Sequence, residues 1–527
     1  MLDWELPGQH GLRVRVCDLP PTLPIVLPLC RRLQIARLVD DLLPMKDGDH
    51  LTHGQVTEFL ILHILQAPHR LPLYELADWA AEHHVQALYG QAPHKFNDDR
   101  VGRTLEALAE VTADLETAVV TRALTQFDIP VRAIHWDLFS VVFNDAKQAS
   151  ELINTGYGGG TIHRRQVHLS LHTSDDGAIP LRHELLPGKA HQAPHAQPML
   201  HDLQQRLHTS NLIVVSDRAG VSYDNIVAYR AAGAHFVGLL PHLPPRLKGA
   251  LGALPEPAFT PLRYHSMNAP ENDFHYYATS IQLQPQRRGE PITVAALFVL
   301  NERLRQGQGE QRDKQMAKAQ ARLEEIHRHL QAPDQNQRRY SGREFTQRQI
   351  DKAIGELTAI VRYELSGEPG AWRLRWWIDE AARAQAALGD GRYILVHDVP
   401  AHYTPDEIFE LQRRQGRIEA RFRNFSQELS VHPLWLQKEA RIIGLLLVFV
   451  LALLVYCLLE WLSERAGLDT PHYHKMTARE MMKRFRRLQL VEVRMRGQPV
   501  QRTVELNDEQ RYILRALGFI SPIRYLP

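Results

Sequence analysis

Three acids in this chain stand where the surrounding sequence disfavours or does not require them. Asp137 lies in the middle of RAIHWDLFSVVF (132–143), where Ile134, Trp136 and Leu138 alternate with His135, Asp137 and Phe139, the period of a strand with two unlike faces. A strand interior disfavours Asp, so a carboxylate there is paired, metal-bound or at a sheet edge facing water. Asp217 ends the short apolar run NLIVVSD, and Glu419 flanks the apolar stripe Ile408, Leu411, Ile418, Phe422, Phe425 and Leu429 of a later helix. The alternative for Glu419 is an ordinary surface ion pair with Arg423, four residues on, worth roughly a few tenths of a kcal/mol. Two strands and a helix converging on one point can hold such acids as a cage for Mg²⁺, a hard cation that prefers oxygen ligands and keeps room for phosphate and water. Paired metals in such a cage orient a nucleophilic oxygen and stabilise a leaving oxygen in an in-line phosphoryl displacement, which is phosphodiester chemistry.

The elements that would position these acids belong to a chain of 527 residues, too long for one core and suited to about two to four domains. Charged residues at 23% and apolar residues at 44% are those of an ordinary globular protein and exclude collagen-like and disordered classes. With a net charge of +2, the local distribution of charge says more than the sum. Cys17, Cys30 and Cys457 are scattered, odd in number and without metal-ligand spacing, which fits a reducing compartment and no disulfide framework. The 28 histidines form no repeated HxxxH or His/Cys cluster, and most are read as polar surface residues. The opening MLDWELPGQHGLRVRV has no basic region followed by an apolar core, so no secretory signal is expected. Residues 442–459, IIGLLLVFVLALLVYCLL, are apolar without interruption and fit either a membrane span or the central helix of a large α/β core. Arg441 and Arg465 lie on opposite sides of the run and do not separate the two readings.

Residues 14–130 read as mostly helical, punctuated at the start by Pro20, Pro21, Pro24 and Pro28. Gly54 to Leu65 suits a buried helix, and Asn97 or Asp98 is a candidate N-cap before Val101, Leu105 and Leu108. From Arg132 the pattern turns to strands. After a flexible GYGGGT turn (156–161), RQVHLSLHTSD and AIPLRHELLPG form a hairpin about Asp175-Asp176-Gly177. HAQPMLHDLQQRL is a helix, SYDNIVAYRAAG is a helix capped by Ser222 and closed by Gly233, and HFVGLLP is another strand, so a mixed sheet with helices packed on it is expected. The proline-rich stretch 241–262 is a candidate boundary. Beyond it PITVAALFVLN and Trp372 to Ile378 bracket two long polar helices, centred on Lys314 to Leu330 and Thr346 to Leu357, and DGRYILVHD (390–398) returns as a strand of the earlier sheet. One helix then runs through TPDEIFELQRRQGRIEARFRNFSQEL, with Thr404 as cap, Pro405 in its first turn and Asp406 and Glu407 set against its dipole.

With these motifs in order, the sequence resembles the insertion-sequence DDE transposases that have an RNase H-like catalytic core and a helical N-terminal domain. The resemblance covers nearly the whole chain. LTHGQ, PLYELADWA and FNDDRVGRTLEAL resemble the N-terminal domain; HWDLFS resembles the strand with the first acid; PLRHELLPG and VVSDRAG lead to the second; RIEARFRNF and HPLWLQKEARI resemble the helix with the third. TAREMMKRFRRLQL to ILRALGF is similar to the family's C-terminal segment. The resemblance implies that Asp137, Asp217 and Glu419 are the catalytic triad and hold two Mg²⁺ ions, with Mn²⁺ able to substitute. It implies an α/β fold, an RNase H-like mixed sheet flanked by helices, with an α+β insertion domain. The expected divisions are 1–130 (helical domain), 131–260 (first part of the core), 261–389 (insertion), 390–465 (second part of the core) and 466–527 (C-terminal segment). The apolar run 442–459 becomes a core helix, so no membrane is expected. The implied partners are DNA, as terminal inverted repeats and target, and a second copy in a synaptic homodimer, in the cytoplasm at the nucleoid.

The chain departs from the family at several positions. Leu138-Phe139 replace the two threonines that usually follow the first acid. The family's last-acid helix has the form Tyr-x2-Arg-x3-Glu-x6-Lys, whose Arg and Lys contact transposon-end phosphates; here Gln412, Gln415 and Ser426 take the Tyr, Arg and Lys places, with Arg414 one residue out of register. A weaker DNA clamp is expected. Local positive charge collects instead on Arg413, Arg414, Arg417, Arg421 and Arg423 beside Glu419, and on Lys483, Arg484, Arg486 and Arg487 around Phe485. These are candidate phosphate contacts or solvated helix faces. Two other functions remain open: a degenerate transposase that binds DNA without joining it, and a membrane protein spanning at 442–459.

Overall fold

Residues Leu2–Glu5 (β1) and Leu12–Asp18 (β2) pair antiparallel before the chain enters its helical region. Seven helices follow: Val26–Arg32 (α1), Ile35–Leu42 (α2), His53–Leu65 (α3), Leu76–Glu82 (α4), Gln86–Tyr89 (α5), Asp98–Glu110 (α6) and Thr112–Phe127 (α7). Asn97 caps α6 by accepting from the Arg100 amide, as its sequence predicts, and Thr52 caps α3 in a reciprocal box with Gln55. Gly54 lets α3 lie directly on α2, since a Cβ there would fall 2.0 Å from the Ala36 carbonyl oxygen. The computed structural model describes all residues except 1, 6–11, 67–71, 84, 144–149, 157–164, 190–195, 208, 210, 218–219, 241–244, 265–273, 286–289, 332–339, 341, 370, 425–435, 437, 470–475, 497 and 520–527. Most of the GYGGGT turn, and Ser426, Phe425 and Leu429, lie outside the described residues.

The chain divides into two compact units, one of residues 1–236 with 413–527 and one of residues 237–412. In the first, strand Ala133–Val142 (β3) is the hub. It pairs antiparallel with Arg165–Ser174 (β5), which carries the short Asn154–Thr155 (β4) and pairs antiparallel with Pro180–Pro187 (β6) through the expected Asp175-Asp176-Gly177 turn. Gly177 takes φ +75° in that turn, where an L side chain would be strained. After helix Ala196–Leu207 (α8), strand Ile213–Ser216 (β7) joins β3 in parallel. The order β6-β5-β3-β7 is a mixed sheet flanked by helices, consistent with the RNase H-like arrangement expected from the sequence. Helix Tyr223–Ala231 (α9) is capped by Ser222 and followed by Gly233 at φ +68°, both as expected. A buried cluster pins α7 to β6: Glu116 accepts from the His183 ring at 2.5 Å, the His183 amide at 2.8 Å and Arg182 at 2.7 Å. Burial alone would raise the Glu116 carboxyl, but His183 and Arg182 together hold it below the usual range.

Strand His235–Leu239 (β8) contains the division between units. In the second unit follow Pro245–Ala253 (α10), Thr260–Pro261 (β9), Phe274–Leu283 (β10), Ile292–Asn301 (β11), Glu302–Gln331 (α11), Arg343–Ile354 (α12), Val361–Ser366 (β12), Arg373–Ile378 (β13), Glu380–Ala387 (α13), Arg392–His397 (β14) and Pro405–Arg413 (α14). The proline-rich stretch is therefore no simple break: Pro245 opens α10, a first-turn place where proline costs no hydrogen bond. Strands β8-β14-β11-β10-β9 are all antiparallel, and the β12–β13 hairpin closes a separate small core with α11 and α12 around Leu323, Ile350 and Leu374.

The chain returns to the first unit through Gln415–Arg423 (α15), Glu439–Arg465 (α16), Ala478–Arg484 (α17), Gln489–Met495 (β15), Gln498–Val504 (β16) and Asp508–Ala516 (α18). The single helix expected through Glu419 is interrupted at Arg414, whose carbonyl accepts from the Arg417 amide three residues on, a tighter turn than an α-helix makes. Helix α16 has the length and apolarity of a membrane span, yet its apolar residues are buried against α1, α3, α6, α7, α17 and β6. Gly444 allows this, since a Cβ there would meet the Leu105 carbonyl of α6 at 2.0 Å. Strand β15 pairs with β2 and with β16, so the four-stranded sheet β1-β2-β15-β16 is built from both ends of the chain.

Candidate active site

The face of β3 that carries Asp137 also carries His135 and Phe139, two residues to either side. Helix α15 lies on that face and is fixed at two points. The Gln415 side chain accepts from His135 Nδ1 at 2.9 Å and donates to the Trp136 carbonyl at 3.0 Å, all of it buried. Three residues past Glu419, the Phe422 ring stacks on Phe139, centroids 5.3 Å apart and planes at 18°. Glu419 is four residues from the first anchor and three from the second, on the same side of the helix, while Asp137 stands midway between the residues they grip. Asp217 arrives from the neighbouring strand: the parallel register of β3 and β7 ends at Trp136 beside Ser216, so the next residues in step are Asp137 and Asp217.

The electrostatics agree with that placement. Asp137 is pushed up to about 7, first by burial and then by the negative charges of Asp217 and Glu419, against a 2.8 Å hydrogen bond from the Leu138 amide. His135 moves the other way, down to about 4, mainly through burial, with Arg417 and Arg414 adding to the shift and the Gln415 bond opposing it. It is therefore a neutral ring that donates from Nδ1, and its buried Nε2 has no hydrogen-bond partner among the described residues. Glu419 is exposed.

Among the described residues, no set of three or more His, Cys, Asp and Glu groups is drawn closely enough to hold a metal ion. The donors suit a hard divalent cation in kind, being carboxylates, and Asp137, raised mainly by burial and further by Asp217 and Glu419, carries a cost that a dication relieves.

The basic residues singled out from the sequence take different places. Arg414 ion-pairs with Asp175 at 3.4 Å, and the exposed Arg417 donates to the Asp175 carbonyl at 3.4 Å, so both reach the β5–β6 turn. Arg423 is exposed at the end of α15. Arg421 needs a correction: it is buried, bonded to Glu460 of α16 at 2.5 Å and to the Gly177 carbonyl at 2.7 Å, which leaves no face for a DNA phosphate. Lys483, Arg484, Arg486 and Arg487 lie together at the C-terminal sheet. Six histidines, His53, His63, His135, His168, His172 and His183, are buried, exceptions to the surface reading given for most of them. The His135–Gln415 link escaped the sequence reading, although its signal was present: Gln415, Glu419 and Phe422 share one helix side, as His135, Asp137 and Phe139 share one strand face.

The fold is that of a mixed α/β protein, a mixed sheet flanked by helices. A domain of unknown function, DUF4277, matches residues 19–118. No curated protein matches the chain. Among solved structures it is similar to the piggyBac transposase in a synaptic complex with hairpin DNA, at 8% identity and a TM-score of 0.39, over 90% of this chain and 82% of that one. It is also similar to the Mos1 transposase in a paired-end complex with the left transposon end, at 14% identity and a TM-score of 0.15, over 42% of this chain and 77% of that one. Likenesses of that size decide neither mechanism nor substrate.

Proposed function

We propose that this chain is a DNA transposase that cuts insertion-sequence ends and joins them to target DNA, with Asp137, Asp217 and Glu419 as its catalytic acids. The observation that carries the reading is the in-step pair Asp137 and Asp217 on neighbouring parallel strands, beneath a helix pinned on both sides of Glu419. These three residues would hold two Mg²⁺ ions, or Mn²⁺ in their place, and the ions would supply activation of the attacking oxygen and stabilisation of the leaving one. The chain's own part is to fix the acids. Gln415 and Phe422 hold α15 on β3, the Leu138 amide orients the Asp137 carboxylate, and neutral His135 adds no competing positive charge. The partners under this reading are the element's terminal inverted repeats, target DNA and a second copy of the chain in the synaptic complex, in the cytoplasm at the nucleoid and without a membrane.

A second reading, a degenerate transposase that binds ends without cutting them, is favoured by one observation. Gln415 stands at the place of the family's phosphate-contacting Arg, and its amide is used up inside the fold. Purified protein incubated with DNA carrying the inverted repeats separates the two. The catalytic reading expects end cleavage with Mg²⁺ or Mn²⁺ that disappears in Asp217→Ala, and unchanged activity in that variant would overturn it. The binding-only reading expects a shifted complex and no cleavage even with Mn²⁺.

A further inference from the structure

Many arginines of this chain meet an acid. Arg100 pairs with Asp49, Arg182 with Glu116, Arg305 with Glu256, Arg312 with Asp390, and Arg441 with Glu106. At the end of α17 and in the turn after it, cations gather at one place. Lys483, Arg486 and Arg487 are exposed, and among the described residues none of their side chains makes an ion pair. They face one cavity of about 640 Å³, which Val491 of β15 also lines and in which Glu505 is the one acid. Arg484 borders the same cavity, with its guanidinium held by Glu509 at 2.5 Å and by the Glu480 carbonyl at 3.0 Å. Like charges gathered without counter-ions repel one another, and the arrangement is relieved by an anionic occupant.

We propose that this cavity seats the phosphate backbone of a nucleic-acid strand, as a docking surface separate from the carboxylate site. The cations are spread over the last turn of α17 and the loop into β15, and the volume exceeds what one phosphate fills, so successive phosphates of a strand suit it better than a single free anion. No aromatic ring lines the cavity, which leaves nothing for bases to stack on and gives contacts blind to sequence. Guanidinium forks match phosphate oxygens in pairs, which favours a phosphate chain over an acidic peptide. The proposal rests on the reading that this chain works on DNA, and it adds where the strand is gripped outside the catalytic acids.

The test is fluorescence anisotropy of the full chain with a labelled 30-base-pair duplex across a series of salt concentrations. Lys483→Gln, Arg486→Gln and Arg487→Gln are combined in one variant, whose melting temperature should match the unaltered protein because all three side chains are exposed. The expected result is a Kd weakened about tenfold or more and a salt slope smaller by roughly 2 to 3, since each lost phosphate contact removes about 0.9. Equal affinity and slope in the triple variant would overturn the cavity while leaving the transposase reading standing. Absence of duplex binding by the unaltered protein would overturn both. Competition by poly-glutamate as strong as by unlabelled DNA at equal charge would overturn the choice of phosphate and assign the cavity to an acidic peptide.

Discussion

Gln415 shows how one amide can set a site's geometry. It gives its oxygen to His135 and its nitrogen to the Trp136 carbonyl, so the residue before Asp137 and the second residue before it are both tied to the helix that carries Glu419. Gln415→Ala leaves two buried partners unsatisfied, each costing about 1 to 3 kcal/mol. The expected outcome is a lower melting temperature together with a fall in the rate of end cleavage larger than any change in DNA affinity; loss of affinity alone would remove Gln415 from a positioning role. Glu58 offers a test of burial with a definite sign. Burial pushes its carboxyl up to about 6, against the pull of Arg31 and a 3.1 Å bond from Tyr89. Because the folded value lies above the unfolded one, the stability tied to the neutral form is complete below about pH 4.5 and is lost as the pH rises through 6. Glu58→Gln should therefore be more stable than the unaltered protein at pH 7.5, by on the order of 2 kcal/mol, and the advantage should vanish near pH 4.5 in paired thermal melts.

At the scale of elements, α15 and α16 are joined by a buried ion pair. Arg421 of α15 meets Glu460 of α16 and also closes the β5–β6 turn through the Gly177 carbonyl. Removing one member strands the other charge in the core, so Arg421→Met should destabilise by roughly 3 to 5 kcal/mol, while Arg421→Met with Glu460→Met should recover most of the loss. Denaturant midpoints measure this, and a double variant no better than the single one would mean that the Gly177 contact dominates. Arg421 also marks what sequence could and could not give. Caps were legible because they are local: Asn97 and Ser222 bond to amides three residues on. The hairpin at Gly177 and the strand alternation around Asp137 were legible for the same reason. In contrast, Arg414, Arg417, Arg421 and Arg423 look alike in a string of letters, and only the packing of α16 decides that Arg421 is the buried one. The apolar run of α16 carries the same ambiguity, since a helix greasy on every side suits a core or a bilayer equally, and what covers it lies hundreds of residues earlier.

Across the whole first unit, buried histidines and raised carboxyls pull in opposite directions as the pH falls. Burial lowers His172 to about 3 and His135 to about 4, and His53 and His168 are lowered too. For a group whose folded value is depressed, the stability is present above the unfolded value near 6.5 and is lost as the pH falls toward the folded one. Glu116, also held below its usual range, drains stability in the same direction at still lower pH. Two raised carboxyls work the other way: Asp137 gains as the pH falls through about 7 and Glu58 as it falls through about 6, and together they offset much of what the two histidines lose above about pH 4. Net loss on acidification should therefore set in near pH 4, where the gains of Asp137 and Glu58 are complete while His172 and Glu116 still lose. His172 is the residue to change, because it stacks on Trp136 at 6.3 Å, away from the face that carries the acids, and its Nδ1 has no hydrogen-bond partner among the described residues. His172→Gln keeps a hydrogen-bonding end that cannot take a proton, so its acid midpoint, followed by tryptophan fluorescence, should move to lower pH. An unmoved midpoint would place the acid sensitivity in the carboxylates instead, Glu116 first among them.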